Sequence, residues 1–175
     1  EKLGKAIYCH NLGKFKEATK LYQELIDHEP GFPDPWNLLG VVAYQKKNYK
    51  LAKTLITTAI KLNNRAPDFY NNLGLVHKKL KNTDAARFQF EKALELDQKH
   101  INSLLNLASL FRKSGKFTDA LRLGKKAKKA DPNNVSVLNN LGNTLVDCNF
   151  SDEAVLTYKK AIRIDPESGL SHWNL

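Results

Sequence analysis

Apolar residues along the chain recur with a helical beat. Between residues 67 and 100, Tyr70, Leu73, Gly74, His77 and Leu80 follow an i, i+3, i+4, i+7 progression, which sets them on one stripe of a helix. Ala85, Ala86, Phe90, Ala93 and Leu94 make a second stripe further on. The polar stretch Lys81-Asn82-Thr83-Asp84 separates the two, and Thr83 or Asp84 is placed to cap the second helix by accepting from its free amides. Thr118-Asp119 and Ser151-Asp152 offer the same cue. The pattern predicts two antiparallel helices of about three to four turns joined by a short turn.

The pattern also repeats. Ala18, Ala52, Ala86, Ala120 and Ala154 stand 34 residues apart without slippage, and Ala6, Gly40, Gly74, Ala108 and Gly142 keep the same interval. Pro30, Pro132 and Pro166 close three of the units, with Asn64 and Gln98 at that place in the others. The repeats are 1–32, 33–66, 67–100, 101–134 and 135–168, with a partial sixth over 169–175. Small residues belong where helices cross, so Gly40 is expected against Ala52 and Gly74 against Ala86. A single hairpin cannot bury its own apolar face, so the units must stack into one all-α solenoid over 1–175.

The residues that carry this period resemble a known family. Trp36-x-x-Leu39-Gly40 followed by Ala52 and Ala59, then Ala86-x-x-x-Phe90 and Ala154-x-x-x-Tyr158 with Ala161 and Pro166, are similar to the tetratricopeptide repeat (TPR). The resemblance implies a right-handed superhelical solenoid whose first helices line a concave groove. Ala43 stands where the family prefers tyrosine, Leu25 where it prefers alanine, and Gly124 where it prefers an aromatic. Glycine inside a helix costs about 1 kcal/mol against alanine, so loose packing is expected in the second helix of the fourth unit.

The groove is where a partner would bind. Opposite the stripe of Tyr70, Leu73, Gly74 and His77 lie Asn71, Asn72, Leu75, Lys78 and Lys79 at 100° per residue. Asn72, Asn106, Asn140 and Asn174 again stand 34 apart, with Asn37, Asn71 and Asn139 beside them and Asn143 a turn beyond Asn139. Stacking aligns them into a ladder. An amide offers both donor and acceptor, so such a row can hold the backbone of an extended peptide, or it can tie neighbouring units together. The row resembles the asparagine ladder of the O-linked N-acetylglucosamine transferase repeat array. Lys78, Lys79, Arg112 and Lys113 add positive charge that would attract an acidic segment. Chaperone-type binding of a C-terminal carboxylate is argued against, because Asp34, Asp68, Asn102 and Ser136 stand where the resemblance would require lysine and arginine.

Charge and composition add exclusions. The chain of 175 residues carries a net charge of +10, much of it between Arg112 and Lys129, and Lys125-Lys126-Lys128-Lys129 reads as a solvated helix face. Nucleic acid is disfavoured, since no aromatic interleaving accompanies the charge. No apolar run reaches the roughly 20 residues of a membrane span. The five histidines are scattered and Cys9 and Cys148 lie far apart, so no metal site, cofactor or catalytic group is expected. A cytoplasmic setting, a longer parent chain in the absence of any methionine, and end-to-end association through uncapped ends complete the expectations. The function expected is a non-catalytic scaffold or adaptor holding an extended peptide or partner helix. The alternative is the substrate-recognising repeat region of a larger glycosyltransferase.

Overall fold

The computed structural model describes residues 1–174, apart from the side chain of Leu170, and among them every regular element is helical. The helices are α1 (Lys2–Asn11), α2 (Phe15–His28), α3 (Pro33–Gln45), α4 (Tyr49–Leu62), α5 (Pro67–Lys79), α6 (Thr83–Leu96), α7 (Ile101–Lys113), α8 (Phe117–Ala130), α9 (Val135–Asp147), α10 (Ser151–Ile164) and α11 (Gly169–Asn174). They pair as the period predicts, α1 with α2 through α9 with α10, while α11 opens the partial sixth repeat. Residue 175 lies outside the described residues. By packing, two compact units stand out, Glu1–Leu96 and Asp97–Leu175.

In the first unit each hairpin packs on the next, α2 against α3 and α4 against α5, so the core runs from Ala6, Ala18 and Tyr22 through Ala52 and Ile56 to Leu73 and Val76. The second unit repeats the scheme, α8 against α9. Its core includes Leu141, Leu145, Ala154 and Tyr158.

The glycines of the small-residue register admit bulky side chains. A Cβ built on Gly40 would stand 2.5 Å from Cγ1 of Ile56, one on Gly74 2.4 Å from Cε1 of Phe90, and one on Gly142 2.3 Å from Cε1 of Tyr158. Each glycine is thus a seat for the bulky side chain 16 residues later. Carbon atoms cannot approach that closely without something moving, so the missing Cβ is what admits the bulky group. In the fourth repeat the sizes change places: Ala108 keeps its methyl, and Gly124 takes the bulky position. Gly124 is buried, with Cδ1 of Leu141 at 3.0 Å from where its Cβ would be. The expected looseness is therefore filled by the next hairpin.

The turns inside the hairpins share one device. Gly13, Lys47, Lys81, Gly115 and Asn149, each 34 apart, have φ between 61 and 73°. This left-handed residue lets the following amide reach back into the helix it ends, as in Asn48 N to Ala43 O at 2.9 Å and Asn82 N to His77 O at 3.0 Å. The expected hydroxyl and carboxylate caps are not used in α8 and α10, where Lys116 and Phe150 occupy the cap position with no side-chain bond. Thr118, Ser151 and Asp152 are already inside those helices, because the left-handed turn starts them early. Asn48 does cap α4, accepting from Leu51 N at 3.2 Å. Lysine in the left-handed region costs roughly 1 kcal/mol that glycine does not. Lys81→Gly is therefore expected to raise unfolding free energy by about that much, read as a higher urea midpoint.

His77 carries a second stability prediction. Its ring is buried and Nδ1 has no partner. Its pKa lies below the ordinary 6.5, first because burial penalises the charged form and second because Lys53 repels it. Below about pH 6.5 the unfolded chain binds a proton that the folded ring refuses, so this contribution is complete above that pH and lost as pH falls through the folded value. Melting temperature should drop on acidification more steeply in the native chain than in His77→Leu.

Candidate functional site: the inner layer of the first unit

In the first unit α1, α3 and α5 present one side to a shared hollow. Its walls are Leu3 and Ile7 from α1, Asp34, Asn37 and Leu38 from α3, and Asp68, Phe69 and Asn72 from α5, around a volume of ≈ 380 Å³. Helical spacing explains the set: Leu3 and Ile7, Asp34 and Leu38, and Asp68 and Asn72 are each i and i+4, hence neighbours one turn apart. Pro33 and Pro67 open α3 and α5, so both aspartates fall in a first turn, where a carboxylate also suits the helix dipole. Towards the other end of α3 and α5 a second hollow of ≈ 130 Å³ is lined by Val41, Tyr44, Gln45, Ile56, Asn72 and Leu75. Asn72 borders both.

The asparagine register divides on inspection. Asn37, Asn71 and Asn139 are only 5, 4 and 2% exposed, although Asn37 still borders the first hollow. A helix inside a stack is covered on its flanks as well as its back; α3 packs on α2, α4 and α5, and this widens the buried arc beyond a single stripe. The open arc of α5 narrows to Asp68, Asn72, Leu75, Lys78 and Lys79. Asn72 donates from Nδ2 to Oδ1 of Asn37 at 3.0 Å, tying α5 to α3. In the second unit Asn139 donates to Ser171 Oγ at 2.9 Å, and Asn143 accepts from the Tyr158 hydroxyl at 2.6 Å. Asn140 donates to its own helix, at Ser136 O, 2.8 Å away. Asn106 and Asn174 are half-buried, and the Nδ2 of Asn174 and the Oδ1 of Asn139 find no partner. Three of these bonds, Asn72 to Asn37, Asn139 to Ser171 and Tyr158 to Asn143, join different helices of one unit.

The basic residues divide similarly. Lys78 is half-buried, while Lys79 and Lys113 are exposed at the ends of their helices. Arg112 forms an ion pair through Nε with Asp147 of α9, which partly offsets its charge within the second unit. Arg122, Lys125, Lys126 and Lys129 project to solvent from α8, opposite its buried Ala120, Leu123, Gly124 and Ala127. Leu156 and Trp173, 66 and 84% exposed, are the largest apolar exposures among the described residues of the second unit.

The potential nucleophiles have ordinary roles. Cys9 is buried and lies 3.6 Å from a Glu17 carboxylate oxygen. The Cys148 thiol is pushed up, first by burial and then by the Asp147 carboxylate, against a smaller opposing pull from Lys125. Burial likewise pushes the Tyr22 hydroxyl up to about 12, with Cys9 adding to it. Among the described residues no three His, Cys, Asp or Glu side chains come together as a metal ion would require. No described helix is long and apolar enough to cross a membrane.

Hairpins of fixed length, a glycine seat in three of the five, and an inner layer left open define a helical-repeat protein. The chain belongs to the tetratricopeptide repeat family, whose profiles match residues 11–52, 67–100, 103–136 and 135–168. No curated protein matches it in sequence. Among solved structures it is similar to YrrB, described as a TPR protein with an unusual peptide-binding site, at 21% identity and a TM-score of 0.70 over 98% of this chain and 89% of that one. It is also similar to TTC0263 of Thermus thermophilus, a thermophilic TPR protein, at 16% identity and a TM-score of 0.83 over 99 and 95%. With the Cut9–Hcn1 hetero-tetramer of APC/C the TM-score is 0.88 at 20% identity, covering 99% of this chain but 35% of that one. Likeness at this level of identity shows the fold.

Proposed function

We propose that this chain is a non-catalytic protein-interaction scaffold that receives an extended peptide or partner helix on the α1–α3–α5 layer of its first unit. The hollow walled by Leu3, Ile7, Leu38 and Phe69 carries the reading, because it offers apolar surface beside fixed polar groups, the combination that gives a binding site both affinity and orientation. The part-buried Asn37–Asn72 bond ties α5 to α3, which lowers the ordering cost that falls on binding. YrrB, which shares the fold, is a peptide binder by its description, and this supports the same use here. The free Cys9 and Cys148 thiols support a reducing, cytoplasmic setting. The alternative, a glycosyltransferase repeat region, rests on the asparagine register, in which Asn72 donates one N–H to Asn37 and keeps its own oxygen as an acceptor.

The test is selection of peptides from a randomised heptapeptide library displayed on phage, with the native chain and Leu38→Glu as baits. The native chain should retain binders that Leu38→Glu loses by at least tenfold, while both melt at similar temperature because Leu38 is only half-buried. Equal retention by the two baits would contradict the proposal.

A further inference from the structure

We infer that the outer side of the first unit carries a second docking site, a hollow between α2 and α4 that seats an aromatic side chain flanked by carboxylates on a partner segment. α3 packs on both α2 and α4. Over it opens a hollow of ≈ 250 Å³, walled by Thr19 and Gln23 of α2, Val42, Ala43 and Lys46 of α3, and Leu51 of α4. No lining residue is shared with the two hollows of the α1–α3–α5 layer.

Three departures from the 34-residue register coincide at this place. The counterparts of Ala43 are Cys9, His77, Phe111 and Leu145, every one of them larger, and His77 and Leu145 are buried in α5 and α9. Leu51, 47% exposed, stands where the other second helices carry Glu17, Ala85, Asp119 and Glu153. Lys46 has the uncharged Leu12, Leu80, Ser114 and Cys148 as its counterparts. The repeat therefore requires none of the three. Together they take a side chain out of the floor, make the rim apolar and set a cation beside it.

Volume and charge define the occupant. A cavity of about 150 Å³ already admits benzene, so the hollow has room for an aromatic ring. Aromatic anchors that fill such pockets carry much of the energy of an interface. Residues 35–67 contain no acid but six bases, Lys46, Lys47, Lys50, Lys53, Lys61 and Arg65. The acids of α2 are already engaged, Glu17 with Cys9, Glu24 with Lys2 and Asp27 with Gln23. The field around α3 and α4 thus favours an acidic partner. Lys47 and Lys50 are exposed beyond the hollow's walls, so an occupant that uses them is a chain segment and not a lone ring.

The probe is the acetylated and amidated peptide Glu-Asp-Trp-Asp-Glu, titrated into the native chain and followed by amide chemical shifts. Saturable changes are expected at Ala43, Lys46 and Leu51. Replacing Trp of the peptide by Ala, or titrating Leu51→Glu or Lys46→Glu instead of the native chain, should each weaken binding roughly tenfold, the scale of a lost anchor. Ala43→Phe fills the floor and should do the same. Leu51 and Lys46 are exposed, so their variants serve even where Ala43→Phe fails to fold. Leu38→Glu should leave the affinity unchanged. Absence of saturable change, equal affinity for the Ala peptide or for Lys-Lys-Trp-Lys-Lys, or indifference to both Leu51→Glu and Lys46→Glu would overturn the inference and leave the inner layer's role standing. Weakening by Leu38→Glu alone would put the peptide on the inner layer, against this inference and in favour of that role.

Discussion

Phe90→Ala is expected to lower the unfolding free energy by about 3–5 kcal/mol, the range found when a buried aromatic is cut to a methyl. Phe90 is 0% exposed, and its ring sits against Gly74. Glycine brings no side chain that could swing into the vacated space, so the cavity should persist and the loss should fall in the upper part of that range. The first unit would show it as a lower urea midpoint. A shift corresponding to less than about 1 kcal/mol would mean that the ring is not a central packing element.

Gly74→Ala comes next in size. Three atoms of the Phe90 ring would stand 2.4, 2.7 and 2.9 Å from the new Cβ, and a fully buried ring has nowhere to retreat. Overpacking of this kind costs about 1–3 kcal/mol. Alanine's better helix propensity offsets about 1 kcal/mol of it. In the Phe90→Ala background the ring is gone and only the propensity remains, so the same substitution should there stabilise by about 0.5–1 kcal/mol. A change of sign between the two backgrounds is what a direct contact predicts. Equal costs in both would place the strain somewhere other than the ring.

The seat pairing shows how far the sequence could be read. The 34-residue period, the paired helices and the buried alanines were legible because they depend on spacing alone. The partner of each glycine was not, because helix periodicity says which side a residue faces but not which atoms meet there. Gly40, Gly74 and Gly142 are matched by Ile56, Phe90 and Tyr158, and the reversed sizes at Ala108 and Gly124 are visible in the sequence only once that pairing is known. Turn geometry was hidden for another reason. Gly13, Gly115 and Asn149 hint at a left-handed residue, but Lys47 and Lys81 mask the register.

Among the candidate site residues, Asn72 and Lys79 lie on the open arc of α5, whereas Asn37, Asn71 and Asn139 are buried by neighbouring helices that a single-helix projection leaves out. Asp34 and Asp68 could be read directly as departures from a basic groove. That they face Leu3 and Ile7 across a common hollow depends on how α1 packs beside α3 and α5, which no local pattern encodes.

Amide chemical shifts during titration of the native chain with a selected peptide test the central claim most directly. The account predicts saturable changes at Leu3, Ile7, Asp34, Leu38 and Asn72, with the solvent faces of α2, α4 and α6 unmoved. Saturable changes confined to those outer helices, with the α1–α3–α5 layer silent, would contradict it.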